Sequence, residues 1–252
     1  MICEGDTSFY SGMLPGSTAN IYRPEQIQVE LKPLAKWCNA EFIEQRVEKI
    51  IADENRVVLE NGESVDYDVL ALNIGSKTRS TFDTPGVLEY SMTTRPINDL
   101  LGKIEKREKE LLDANITPKL IVCGAGCAGV ELSFGFKNRW KGVFGKDIDT
   151  TILSAEETVL PHEKAILREK VEEKLKNQNI KVEAKCQVSK VTAEGVKCKD
   201  GREFKANVVV WSTGAEPQPV IKHSDLEMSK GYFRVNEFMQ STSHPNVFAG
   251  GD

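Results

Sequence analysis

Three glycines between an apolar run and a predicted helix constrain the fold more than any other feature. Gly124, Gly126 and Gly129 form a Gly-x-Gly-x-x-Gly pattern after the apolar run 120–123 and before a helix predicted from Val130. In such a strand–loop–helix unit, the first glycine permits a tight turn, the second lets a pyrophosphate approach the backbone, and the third lets the helix pack closely on the strand. The helix N-terminus adds unpaired N–H groups that attract phosphate. The pattern predicts a dinucleotide-binding Rossmann unit; the alternative is a glycine-rich turn without a ligand.

The strand after this helix bears on the choice between NADH and NADPH. It runs over 150–153, and Ser154 takes the position expected to face the adenosine ribose. An acid there would hydrogen-bond the ribose 2′-hydroxyl and disfavour a 2′-phosphate, whereas a serine favours neither NADH nor NADPH. Glu156 and Glu157 lie just beyond, and no arginine adjoins Ser154. The sequence therefore favours NADH slightly over NADPH.

One supersecondary pattern occurs twice. Short strand-like runs and the turn Asn61-Gly62 are followed by an apolar run that ends at Gly75. Later, similar runs and the turn Asp200-Gly201 are followed by an apolar run that ends at Gly214. Aligning Gly75 with Gly214 matches both turns and both apolar runs, which indicates an internal repeat.

The repeat makes a prediction about the first half of the chain. A strand ending near Glu4 corresponds to the strand ending near Ser154, but no glycine loop precedes Glu4. The chain starts as a strand at Met1 and stops in a strand and turn over 246–252. Both ends are therefore expected to be cut, and the first dinucleotide-binding unit is expected to lack its glycine loop.

Composition excludes several function classes. The 252 residues are 40% apolar and 28% charged, as in globular proteins, and carry a net charge of −5, which predicts no nucleic-acid partner. No apolar run approaches the ~20 residues of a membrane helix, so no membrane span is predicted. The six cysteines are scattered, without a Cys-x-x-Cys pair or a histidine at ligand spacing, which predicts reduced thiols and no metal site. They are Cys3, Cys38, Cys123, Cys127, Cys186 and Cys198.

Several motifs in the same order resemble one family. The glycine loop 124–131, the strand-to-glycine segments 70–75 and 208–214, and the final 246–252 look like the FAD-dependent pyridine nucleotide-disulfide oxidoreductase superfamily, in its type II NADH dehydrogenase branch. The segment 10–16, Tyr-Ser-Gly-Met-Leu-Pro-Gly, is similar to NADH-dehydrogenase-like flavoproteins found alone or fused to selenide, water dikinase. The resemblance covers essentially the whole chain.

The resemblance implies an α/β fold of two Rossmann-like, three-layer dinucleotide-binding domains. An FAD domain formed by 1–95 and 215–252 would contain an inserted NAD(P)H domain over 96–214. The cofactors implied are FAD and NAD(P)H. The sequence also departs from the family pattern in one respect. It has no cysteine pair at the position where disulfide-reducing members carry one, so flavin is expected to pass electrons directly to an acceptor.

The same resemblance assigns site residues. Glu4 would meet the adenosine ribose of FAD, or would simply be a solvent-facing strand end. The loop containing Ser11 would lie near the isoalloxazine, and Asp252 would meet the ribityl chain. Glu131 would lie near the nicotinamide as the catalytic candidate, with a helix-surface carboxylate or an ion-pair partner as the alternatives. The glycines assigned to cofactor binding besides those of the loop are Gly75, Gly214 and Gly251.

The function implied is hydride transfer from NAD(P)H to FAD, followed by electron transfer to a small-molecule acceptor such as a quinone. In quinone-using members the quinone site lies beyond the Gly-Asp motif at 251–252. The resemblance also implies a homodimer formed through a C-terminal domain that would follow this motif. The alternative is a non-catalytic NAD(H)-binding or interaction module that lacks stable FAD. The cytoplasm and organelles, mitochondria included, remain open as compartments.

Overall fold

The computed structural model describes residues 1–251, without the side chain of Asn98. Its α-helices are α1 (Leu14–Thr18), α2 (Leu31–Trp37), α3 (Val87–Tyr90), α4 (Ile97–Asp113), α5 (Cys127–Phe144) and α6 (Ala165–Asn177), and its 3-10 helices are Ser11–Met13, Pro24–Gln26, Ala52–Glu54 and Pro219–His223. Its strands are β1 (Ile2–Cys3), β2 (Thr7–Phe9), β3 (Gln28–Glu30), β4 (Ile43–Glu44), β5 (Val47–Ile51), β6 (Arg56–Leu59), β7 (Ser64–Asp66), β8 (Leu70–Leu72), β9 (Ser76–Thr78), β10 (Met92–Thr93), β11 (Lys119–Cys123), β12 (Asp149–Leu153), β13 (Ile180–Glu183), β14 (Val188–Thr192), β15 (Gly195–Cys198), β16 (Glu203–Lys205), β17 (Val208–Trp211), β18 (Ala215–Pro217), β19 (Met228–Ser229), β20 (Tyr232–Phe233) and β21 (Val247–Ala249).

The described residues divide into two compact units. The first consists of residues 1–8, 29–77 and those from 215 onward, and the second consists of 9–28 and 78–214. The break after Gly214 coincides with a boundary of the predicted NAD(P)H domain. Segments 9–28 and 78–95, however, group with the second unit. The division into an FAD domain and an NAD(P)H domain stays a prediction.

A five-stranded parallel sheet forms the centre of the second unit, in the order β10-β17-β11-β12-β13. Helices α4, α5 and α6 each connect one strand of this sheet to a later one. Such long crossover connections are what neighbouring parallel strands require. All five strands therefore end at the same edge. The α/β class predicted from the sequence is confirmed.

Both faces of this sheet are covered. Successive side chains along a strand point to opposite faces. Accordingly, Leu120 and Val122 belong to one buried cluster with α4 and α5, whereas Ile121 and Cys123 belong to another with the sheet β14-β15-β16. A strand covered on both faces reads as a continuous apolar run, which is why β11 was recognisable in the sequence.

The internal repeat is confirmed. The first unit contains an antiparallel sheet β5-β6-β7 and the second an antiparallel sheet β14-β15-β16, and each precedes a parallel strand, β8 or β17. The glycines after these strands, Gly75 and Gly214, have φ of 65° and 104°. The two copies differ in burial, because all of β17 is buried whereas Ala71 in the middle of β8 is exposed.

A polar cluster joins α4 to α5 in the second unit. The Glu108 carboxylate accepts hydrogen bonds from Nε of Arg139 at 2.6 Å and from Nε1 of Trp140 at 2.9 Å. The side chains of Arg139 and Glu108 are only 9% and 16% exposed. This carboxylate therefore satisfies two donors that would otherwise lie unpaired near the core.

The expectation of reduced thiols is wrong for one cysteine pair. Cys186 and Cys198 form a disulfide, with 5.6 Å between their Cα atoms, and both are buried. The antiparallel pairing of β14 with β15 places Val188 opposite Cys198, which brings Cys186, two residues earlier, close to it. Strand register, which spacing alone did not reveal, makes the pair. The free cysteines among the described residues are Cys3, Cys38, Cys123 and Cys127.

Candidate functional site

The glycine loop connects β11 to α5 at the carboxyl edge of the five-stranded sheet. Gly124 has φ of 114°, and its N–H donates to the carbonyl of Leu153 at 2.9 Å. A Cβ on Gly124 would collide with the carbonyl oxygen of Ser212, and one on Gly129 would collide with the carbonyl oxygen of Gly124. The first and third glycines are therefore required by the turn and by the close packing of helix on strand.

The second glycine is different, because it borders open space. Gly126 is the N-cap of α5, has an ordinary φ of −75°, and no atom of the described residues lies within 4 Å of where its Cβ would be. Gly126, Cys127 and Ala128 are all exposed. Within residues 1–251 no side chain caps this helix, and its first turn holds no acidic residue. Its first N–H groups are thus available to a phosphate, and the cradle fits a dinucleotide pyrophosphate.

Ser154 lies at the carboxyl end of β12, as predicted, but its hydroxyl is used inside its own loop. The side chain is buried, and Oγ donates to the carbonyl of Thr158 at 3.0 Å and accepts from the N–H of Glu156 at 3.2 Å. Further along, the N–H of Leu160 donates to the carbonyl of Ala125 at 2.8 Å. The loop after β12 is therefore attached to the glycine loop.

Glu131 lies in the first two turns of α5 and is exposed. No cation or hydrogen-bond donor pairs with its carboxylate anywhere in the part of the chain that the structure describes, so the ion-pair alternative has no partner there. Gly214 follows the neighbouring strand β17, which lies beside β11 in the sheet. The roles of both residues toward a nicotinamide remain predictions.

Three residues predicted to contact a cofactor, Glu4, Gly75 and Gly251, lie in the first unit. Glu4 follows β1, which pairs in parallel with β4, and its carboxylate contacts the Arg46 guanidinium at 2.7 Å with both side chains more than half exposed. This hydrogen bond raises the pKa of Arg46 above its ordinary value. Gly251, with φ of 85°, follows β21. Their contacts with FAD remain predictions, as does that of Gly75.

The other two predicted FAD contacts lie elsewhere. Ser11 begins an exposed 3-10 helix and belongs to the second unit, the one that contains the glycine loop. Asp252 lies outside the described residues. A diphosphate cradle for FAD would need a second glycine loop at a strand-to-helix turn, and the described residues of the first unit contain none. These residues therefore fit FAD only in part.

The parallel sheet and its glycine cradle define the chain as an α/β dinucleotide-binding protein. Comparison with known families is more specific. The family described as pyridine nucleotide-disulphide oxidoreductase matches residues 2–252, and the chain belongs to this family. The family is FAD-dependent and binds NAD(P)H, which confirms the predicted cofactors at the level of the family.

Relatives indicate the branch. The chain is 26% identical to the external alternative NAD(P)H-ubiquinone oxidoreductase B4, mitochondrial, of Arabidopsis thaliana, covering 96% of this chain and 48% of that protein. It is also 26% identical to the type II NADH:quinone oxidoreductase of Haemophilus influenzae, covering 75% and 49%. These relatives confirm the predicted type II NADH dehydrogenase branch.

Solved structures agree on the fold. The NDH2 of Plasmodium falciparum in complex with NADH superposes with a TM-score of 0.81 at 19% identity, covering 100% of this chain and 58% of that one. The chain spans about half the length of the curated relatives named above. Within residues 1–251, no helix combines the length and apolar character needed to cross a membrane.

Proposed function

We propose that the chain provides the NAD(P)H-binding site of a flavin-dependent oxidoreductase. The observation that supports this most directly is the open space at Gly126, at the uncapped N-terminus of α5. The family match supports the flavin-dependent chemistry. The glycine loop would hold the pyrophosphate, with the α5 dipole favouring its negative charge.

Bound NAD(P)H would supply a hydride to flavin in this scheme. The protein's part is to hold and orient the dinucleotide. Gly124 allows the tight turn of the loop, and Gly129 allows the close packing of α5 against it. Glu131, which is exposed and unpaired within the described residues, would position the nicotinamide. We propose a quinone as the acceptor because the Arabidopsis and Haemophilus relatives are named for quinone reduction, and the mitochondrial name of the first favours an organelle. We also expect a homodimer, as the family resemblance implies.

A second candidate function is an NAD(H)-binding module without stable FAD. The contacts of the glycine loop favour it, because the residues that shape this loop, Leu153, Leu160 and Ser212, all belong to the second unit. Absorbance of the purified chain, incubated with FAD and desalted, separates the two. Retained flavin absorbance that NADH bleaches supports the oxidoreductase. Binding of NADH without any retained flavin supports the module.

Alkylation of Cys127 provides a test of the nucleotide position. Cys127 is exposed at the start of α5 beside Gly126, and Cys38 is exposed in the first unit. We expect saturating NADH to slow the reaction of Cys127 with iodoacetamide at least fivefold, because bound pyrophosphate would cover the loop, and to leave Cys38 unaffected. Peptide mass spectrometry measures both rates in one sample.

Burial raises the pKa of the Cys123 thiol, so that cysteine is expected to stay unmodified in either case. Equal protection of Cys38 and Cys127, or protection of neither, would contradict this site.

A further inference from the structure

The loop that follows β12 has a charge pattern of its own. After the buried Ser154, Ala155, Glu156 and Glu157 are exposed in succession at the carboxyl edge of the sheet. The register that pairs Cys123 with Leu153 places this loop directly beside the glycine loop. In Rossmann units the adenosine ribose lies at this strand end, where an acid ordinarily makes the choice between NAD and NADP.

The two carboxylates in this loop are not equivalent. Glu157 is paired with the Lys185 ammonium at 2.8 Å, which lowers the pKa of this carboxyl below its ordinary value. Glu156 has no cation against its carboxylate within residues 1–251. One negative charge in this loop is therefore compensated, and the other is not.

The backbone of Glu156 is held in place although its side chain is free. Its N–H donates to Oγ of Ser154 at 3.2 Å, and its carbonyl accepts from the N–H of Lys185 at 3.0 Å. The hydroxyl of Ser154 is consumed in holding this loop. The residue at the usual ribose position thus supports the loop, and the first exposed charged side chain after it is Glu156.

We propose that Glu156 is the residue that selects NADH over NADPH. This inference rests on the proposed function, since it requires the dinucleotide to lie on the glycine loop. A carboxylate can accept hydrogen bonds from the ribose hydroxyls of NADH. The 2′-phosphate of NADPH adds a charge of about −2 at pH 7, which an uncompensated carboxylate repels. The nearby Lys185 ammonium pairs with Glu157, not with Glu156.

Titration calorimetry with NADH and with NADPH tests the assignment on the full chain. We expect the wild-type chain to bind NADH at least tenfold more tightly than NADPH. The variant Glu156→Gln is expected to reduce that ratio at least threefold by improving NADPH binding. The variant Glu156→Arg is expected to bind NADPH at least as tightly as NADH, because a guanidinium pairs well with phosphate.

The control is Glu173→Gln, which removes one exposed carboxylate from α6 in the same unit and is expected to leave the ratio unchanged. Equal affinity of the wild-type chain for the two dinucleotides would overturn the proposal while leaving the glycine-loop site standing. So would a tenfold preference that Glu156→Gln does not alter. If neither dinucleotide binds the wild-type chain, the proposed function fails, and the assignment of Glu156 fails with it.

Discussion

Replacing Gly126 by alanine is expected to weaken NADH binding at least tenfold, or by about 1.4 kcal/mol, while the chain stays folded. Gly126 has an ordinary φ of −75°, and its Cβ would meet no atom of the described residues. The methyl group therefore meets no steric obstacle in the fold, but it occupies the space through which a pyrophosphate approaches the helix N-terminus. Titration calorimetry measures the affinity, and thermal unfolding measures the stability.

Gly142 provides a matched control on the same helix. It lies in the last two turns of α5, away from the glycine loop, and a Cβ there would also meet open space. The variant Gly142→Ala is expected to gain about 0.5–1 kcal/mol of stability from the lower backbone entropy of its unfolded state and to bind NADH unchanged. If Gly126→Ala binds NADH as the wild type does, the pyrophosphate does not lie on this loop.

Gly129→Ala would not separate binding from folding. Its Cβ would collide with the carbonyl of Gly124, so the loop itself would have to move. We expect this variant to lose both stability and NADH affinity. The contrast between Gly126→Ala and Gly129→Ala therefore distinguishes the glycine that receives the ligand from the glycine that lets the helix pack.

Replacing Glu108 by alanine is expected to lower the free energy of unfolding by about 3–5 kcal/mol. The Glu108 carboxylate accepts from Arg139 and Trp140, and the Arg139 side chain is 9% exposed. Removing the carboxylate leaves a nearly buried guanidinium without a counter-charge and an indole N–H without an acceptor. Chemical denaturation followed by circular dichroism measures the loss.

Glu110 is the control on the same helix. It pairs with Arg107 at 2.8 Å, but both side chains are more than a third exposed. Helix-surface pairs three residues apart contribute about 0.2–0.5 kcal/mol, so Glu110→Ala is expected to cost no more than that. Because both variants replace glutamate by alanine within α4, their helix-propensity changes are alike. Equal losses for the two variants would mean that the Glu108 cluster does not stabilise the junction of α4 and α5.

Much of the fold and the centre of the site could be predicted because their causes are local. The apolar run over 120–123 predicts a strand, and the three glycines after it predict a turn, an open approach and a tight helix contact. All of these occur at Gly124, Gly126 and Gly129. The repeated turn-and-strand pattern predicted two related sheets in the same way, since its signals lie within a few residues of each other.

The polar groups that already have a partner in the folded chain could not be predicted in this way. The hydroxyl of Ser154 appeared open to a ribose in the sequence, and only the loop geometry shows that Thr158 and Glu156 use it. The Cys186–Cys198 disulfide depends on the register of β14 against β15. The pairing of Lys185 with Glu157, which leaves Glu156 uncompensated, depends on the approach of the chain after β13 to the loop after β12.

The sequence by itself determined the dinucleotide-binding class, the repeat and the family, because backbone conformation and burial pattern depend on residues that are close together in the sequence. Only the tertiary structure decided which polar groups are already satisfied and which remain free for a ligand. A hydrogen bond or ion pair needs donor and acceptor within about 3 Å, and for residues such as Glu108 and Arg139 that distance is set by the packing of whole helices.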